Sequence, residues 1–188
     1  MVRTIACRCV LSCAFVSMNA SAAFVNFETP PVHPIDLSPD GAIIAVTNTA
    51  AGLLDIYDVT SGVPERRGSV QVGVDPVSVR FRTNAEAWVV NHISDSVSIV
   101  DTVAQRVTAT IATGDEPCDV VFAGSPQRAF VSCSQINSIQ RFDPANLAAA
   151  PTTISVLAEE PRALAVSPDG LTVYAAIFNS GNASTILG

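Results

Sequence analysis

The sequence predicts an all-β protein in which one four-stranded antiparallel unit is copied along the chain. Three observations carry that reading. Four short segments, Ala45-Val46-Thr47-Asn48, Trp88-Val89-Val90-Asn91, Phe130-Val131-Ser132-Cys133 and Tyr174-Ala175-Ala176-Ile177, begin 43, 42 and 44 residues apart. The first three are each followed, ten residues after their last member, by an aspartate: Asp58, Asp101 and Asp143. Between these landmarks, apolar and polar residues alternate with the period of 2 that belongs to strands. A period near 43 with fixed internal spacing means a supersecondary unit that cannot bury its own faces and must stack on its neighbours.

The unit is clearest from Asp75 to Gly114. Val77, Val79 and Phe81 alternate with Ser78 and Arg80, and Thr83-Asn84 supplies a turn. Trp88-Val89-Val90 makes the second strand, and Asn91 to Asp95 forms a polar loop. Val97-Ser98-Ile99-Val100 makes the third, leading into Asp101-Thr102, and Val107, Ala109 and Ile111 alternate with threonines in the fourth. Short links between successive strands favour antiparallel pairing, hence a meander. Ser38-Pro39-Asp40-Gly41 and Ser167-Pro168-Asp169-Gly170, 129 residues apart, carry turn chemistry between strands one and two. Pro76, Pro117 and Pro161 each open a repeat after an acidic residue, where a missing N–H costs no ladder bond. A helical reading fails for want of any long apolar pattern of period 3.6. Leu147 to Ala150 is expected to form one helical turn at most.

On these motifs the repeat resembles the YVTN family of β-propeller repeats. The resemblance runs from about Val32 to the end, and Ala45–Asn48, Trp88–Asn91 and Val97–Asp101 match best. Phe130–Cys133 and Tyr174–Ile177 keep the aromatic start and lose the asparagine. The resemblance implies a β-propeller of four-stranded antiparallel blades, here three complete blades plus an incomplete fourth. The blades are expected over residues 32–74, 75–115, 116–159 and 160–188. Because a closed ring needs about four to eight blades, the chain is expected to be the N-terminal part of a larger propeller. The third strand of the fourth unit is expected at Ser184–Leu187. Phe24–Thr29 could supply the fourth strand of the last blade.

Residues 1–22 are a different kind of segment. Arg3 and Arg8 flank a short apolar run from Val10 to Met18, followed by Ala20-Ser21-Ala22. This is the pattern of a secretory signal peptide, too short to span a membrane. Cleavage is expected after Ala22, with Ala23 as the alternative, and lipidation at Cys13 is a weaker option. The rest, residues 23–188, is the propeller part, exported to the periplasm, cell surface or medium.

All ten basic residues are arginine, and removing Arg3 and Arg8 leaves eight against 17 carboxylates. An acidic domain with no basic stripe argues against nucleic acid as a partner. Cys118 and Cys133 lie symmetrically about Ser125-Pro126, which would set them opposite each other on strands one and two. A disulfide suits an exported protein, and a pair of small buried thiols suits the positions equally well.

The strand-end aspartates read as turn residues that accept bonds from backbone N–H groups two residues on. No Asp-x-Asp ladder accompanies them to favour calcium. His33 and His92 are too few and too scattered for a metal site, and His92 reads as a surface-loop residue. The sequon Asn182-Ala183-Ser184 is assigned no role, and Trp88 reads as packing between blades. No catalytic, metal or cofactor residues are identified and no cofactor is expected.

Function stays open between two classes. One is a non-catalytic exported scaffold that binds a protein, glycan or small ligand. The other is the propeller part of an enzyme or redox protein, lactonase-like or joined to a haem or copper domain. The scaffold is favoured, since a fold alone carries little functional weight. Asp75, Asp95, Asp115, Glu116, Glu159 and Glu160 fall in loops at one end of the units, with only Arg162 nearby. Arg66, Arg67, Arg82, Arg106 and Arg128 fall at the other. The acidic end is therefore a candidate face for a cation or a basic partner; solvated turns would give the same pattern.

Overall fold

The computed structural model describes residues 29–179. Its strands form three four-stranded sheets and one two-stranded sheet, each a simple meander. Blade one comprises β1 (Ile35–Leu37), β2 (Ile43–Asn48), β3 (Leu53–Asp58) and β4 (Glu65–Gln71). Blade two comprises β5 (Pro76–Phe81), β6 (Glu86–Asn91), β7 (Ser96–Asp101) and β8 (Arg106–Ala112). Blade three follows with β9 (Pro117–Ala123), β10 (Arg128–Cys133), β11 (Ser138–Phe142) and β12 (Thr152–Ser155). Blade four is described through β13 (Glu159–Val166) and β14 (Val173–Asn179). All pairings within blades are antiparallel, and strands β1, β5, β9 and β13 converge as neighbours on the inner side. The chain has the propeller architecture read from its repeat. The signal segment, the Phe24–Glu28 part of the closing strand, the Ser184–Leu187 strand and the sequon lie outside the described residues.

The core lies between blades, because each short alternating strand has two faces to cover. Ile43, Ala45, Leu54, Ile56 and Val70 of blade one bury against Val79, Phe81, Ala87, Val89 and Val100 of blade two. The next interface sets Trp88, Val90, Val97 and Ile99 against Val120, Ala129, Val131 and Phe142. Trp88 is fully buried and meets the Phe122 ring edge-on at 5.3 Å, as expected of packing between blades. Its repeat equivalent Tyr174 is 60% exposed.

Four details differ from expectation. The described helix is a 3-10 turn at Thr49–Ala51, capped by the Asn48 side chain, whereas Leu147–Ala150 forms hydrogen-bonded turns. Strands β5, β9 and β13 each carry a register irregularity directly after the opening proline. In blade three this bulge sets Cys133 opposite Pro117, while Ser132 faces Asp119, so Cys118 is left in the bulge. Both cysteines are free, buried thiols, one of the two arrangements that the sequence left open. His92 is 3% exposed, not a surface-loop residue. Its Nδ1 lies 3.0 Å from the Pro117 carbonyl oxygen, bracing blade two on blade three.

Candidate functional site

The inner strands bring polar side chains together at the axis although their sequence positions are far apart. Arg80, near the end of β5, reaches blades three and four at once. Its Nη2 lies 3.4 Å from Asp119 Oδ2 on β9 and 3.4 Å from the Leu164 carbonyl on β13. Asp119 is 1% exposed, and a carboxylate so placed must be fully satisfied to remain charged. Its Oδ2 accepts from Leu164 N at 2.9 Å and its Oδ1 from Val120 N at 2.8 Å. On blade one, Asp36 Oδ2 accepts from Phe81 N at 2.7 Å. Each of these carboxylates therefore ties its inner strand to that of the next blade. Burial, and then the Arg80 charge, hold His33 below the ordinary imidazole value, against the pull of Asp119 and Asp36.

Of these groups, Asp36 and Arg80 border a groove of about 530 Å³ where the inner strands end. Asp36, Arg80 and Gln127 give it polar character, and Phe81, Phe122 and Leu164 give it an apolar wall. Arg80 is already neutralised by Asp119, so the unpaired oxygen of Asp36 sets the electrostatic preference of the groove. The volume lies within the range of small-molecule sites. Sequence reasoning missed this site. The signal available to it was polar Asp36, Arg80 and Asp119 on strands whose other residues are largely apolar.

The six carboxylates of the candidate acidic face belong to the opposite end, in or beside the loops joining strands two to three and four to one. Several are committed within the fold. Asp95 Oδ1 accepts from Glu116 N at 3.0 Å. Glu116 Oε2 accepts from Ser134 Oγ at 3.1 Å and lies 3.7 Å from His92 Nε2. Glu160 lies 3.6 Å from Arg162, and Asp75 is 6% exposed with Oδ2 unpartnered. Asp115 and Glu159 stand exposed. Asp75, Glu116 and Glu160, each directly before a proline, share positive φ values of 60°, 52° and 57°, a conformation that residues before proline disfavour.

Cys118 and Cys133 are poor nucleophiles in this setting. Burial pushes the Cys118 thiol up and carries Cys133 to about 12. Cys118 Sγ lies 3.8 Å from His92 Nδ1, yet Nδ1 must donate its proton to the Pro117 carbonyl and so is no base for the thiol. Among the described residues, no group of three or more His, Cys, Asp and Glu side chains is placed to hold a metal ion. No helix there is long and apolar enough to cross a membrane.

No protein-family model and no curated protein sequence matches the chain. Solved structures do. Hydrazine synthase of Kuenenia stuttgartiensis is 27% identical with a TM-score of 0.73, covering 87% of this chain and 46% of its own. Virginiamycin B lyase of Staphylococcus aureus is 14% identical with a TM-score of 0.63, covering 77% and 48%. The dihydro-haem d1 dehydrogenase NirN is 16% identical with a TM-score of 0.60, covering 79% and 33%. The chain spans a third to a half of the chains it matches. Its neighbours are β-propeller proteins, and its meander blades converging on inner strands are blades of that same fold.

Proposed function

We propose that the chain is an exported binding propeller of the YVTN type, which takes a small ligand in the axial groove. The observation that carries this is the pairing of a clamped guanidinium with a half-free carboxylate beside an apolar wall. Arg80 is fixed by Asp119 and Leu164, so the groove is preorganised, and binding need not order it first. Asp36 keeps one oxygen for a ligand donor, and Phe81 and Phe122 offer aromatic surface that suits an organic ammonium. The reading is therefore of a small cationic or neutral ligand, not an anion. Calorimetry against a panel of alkylammonium ions, neutral sugars and sugar acids tests it. Alkylammonium binding should weaken about tenfold in Asp36→Asn, the size expected for one charge-assisted contact. Binding of sugar acids alone, or of nothing in the panel, overturns the reading.

A second reading is the propeller portion of a redox enzyme. The likeness to the hydrazine synthase chain favours it, as the identity there is 27%. Visible absorption of protein purified from its own host, and metal analysis of the same material, decide between the two.

A further inference from the structure

The end of the blades that carries the acidic loops also carries exposed aliphatic side chains. Val74, Ile93 and Ile136 are 59%, 58% and 44% exposed. Val74 lies just before β5, while Ile93 and Ile136 lie in the loops that join strands two and three of blades two and three. Hydrogen bonds lace these loops together. Gly73 N donates to Asn91 Oδ1 at 3.1 Å and Val74 N to Ser94 Oγ at 3.0 Å, which sets Val74 beside the Ile93 loop. That loop is also tied to the next joint, where Thr113 N donates to the Asp95 carbonyl at 2.9 Å and Glu116 N to Asp95 Oδ1 at 3.0 Å. Gly114 leaves room there for Ile136, whose Cδ1 occupies the place that a Cβ on Gly114 would take. The aliphatics are thus interleaved with Asp95 and Asp115, both exposed. Asp75, directly after Val74, is 6% exposed with an unpartnered Oδ2. All five surface residues stand in end loops of blades one to three, not on a sheet face where a further blade would stack.

We propose that this end docks a basic, amphipathic segment of another protein. Its aliphatic side chains would seat on Val74, Ile93 and Ile136, and its guanidinium or ammonium groups would stand near Asp95 and Asp115. The surface is distinct from the axial groove, and neither reading depends on the other. Exposed aliphatics scattered singly are ordinary; three on loops bonded to one another and interleaved with carboxylates put apolar area and charge on one surface. The loops are already fixed by their mutual bonds, so docking has little ordering to do. The carboxylates select the sign of the partner by charge complementarity. A small polyamine would meet the charge and leave the aliphatic area in water, so the apolar part calls for a polypeptide.

Fluorescence anisotropy of a labelled peptide of alternating arginine and leucine, titrated with the purified chain, tests this. A peptide of alternating glutamate and leucine is the control and should not bind. Ile93→Ser should weaken binding of the basic peptide about tenfold at low and at high salt, as for an apolar anchor. Asp95→Asn combined with Asp115→Asn should weaken it about tenfold at about 0.05 M salt and much less at about 0.5 M, where the charges are screened. Asparagine at position 95 keeps an acceptor for Glu116 N, so the loop is retained. Val103→Ser, at a 62% exposed position on the opposite end, should change nothing. Ile93 is exposed, so its variant should melt cooperatively; should it perturb folding, Val74→Ser reads the same surface. Failure of the basic peptide to bind overturns the proposal, and so does binding that Ile93→Ser leaves intact. Complete displacement of the peptide by spermidine at matched charge would mean that charge alone binds, and overturns it. A dimer of the chain that Ile93→Ser dissolves would assign the surface to a second copy and overturns it too.

Discussion

Asp101 Oδ1 accepts from Val103 N at 3.0 Å and from Ala104 N at 2.8 Å. Asp58 does the same for Thr60 N at 2.9 Å, and Asp143 for Ala145 N at 3.0 Å. These carboxylates close the turns that leave the third strand, as their spacing after the repeated tetrad indicates. They were legible because the interaction is local, spanning two or three residues. Asp101→Ala should cost about 1 kcal/mol, the usual value for a side chain that satisfies turn N–H groups. In a chain of this size that is a loss of about 2–4 °C in Tm, readable by circular dichroism. The cysteines give the opposite lesson. A bulge adds one residue to a strand and leaves no mark in composition, so the symmetry of Cys118 and Cys133 about their hairpin did not reveal it. Since burial raises both thiols, a thiol reagent at pH 8 should react with neither in the native state, and with both in denaturant. Fast native labelling would show that the bulge opens readily.

At the scale of the element, the β5–β6 hairpin shows how an exposed turn secures a buried ring. Glu86 Oε2 accepts from Arg82 Nη2 at 2.7 Å, and Glu86 Oε1 accepts from Trp88 Nε1 at 2.7 Å. Burial would raise the Glu86 carboxyl, but the bonds from Arg82 and Trp88 outweigh it and hold the pKa below its ordinary value. The sign follows from linkage. A carboxylate lowered in the folded state contributes stability above its unfolded pKa, and that contribution fades as pH falls through the folded value. Glu86→Gln should therefore lower Tm at pH 7 and lose less further stability than wild type on titration into acid. Equal acid slopes would remove Glu86 from the account. The joints between blades were harder to read. Gly73 and Gly114 each stand three residues before the opening proline, and a Cβ on Gly73 would lie 2.7 Å from Asn91 Cβ. Gly73→Ala should cost about 1–3 kcal/mol through overpacking. Neither this approach nor the burial of His92 is set by neighbours in sequence; both depend on how consecutive blades seat.

For the whole molecule, the repeat revealed the architecture because its period and its alternation are properties of the chain itself. The axial groove stayed hidden because Arg80 and Asp119 meet only once blades two and three are stacked. The two ends also differ in what their charges do. The acidic end looked like a uniform charged face, yet Asp95, Glu116 and Glu160 have bonding partners in the fold and Asp75 is buried. Asp95, Asp115 and Glu159 of the six stand exposed, and of these three Asp95 already accepts from Glu116 N. This separates two jobs that share one surface. Replacing Asp115 and Glu159 together with Asn and Gln should change stability by less than about 0.5 kcal/mol, as at ordinary surface sites. Asp95→Ala should cost more, about 1–2 kcal/mol, because it removes the acceptor for Glu116 N across the blade joint. If a basic partner uses this end, the Asp115 and Glu159 double variant should weaken its binding at low salt and much less above about 0.5 M salt, where the Debye length has shrunk to a few ångströms. A stability loss from the double variant as large as that from Asp95→Ala would make all six carboxylates part of the turns and remove the case for a docking face at that end.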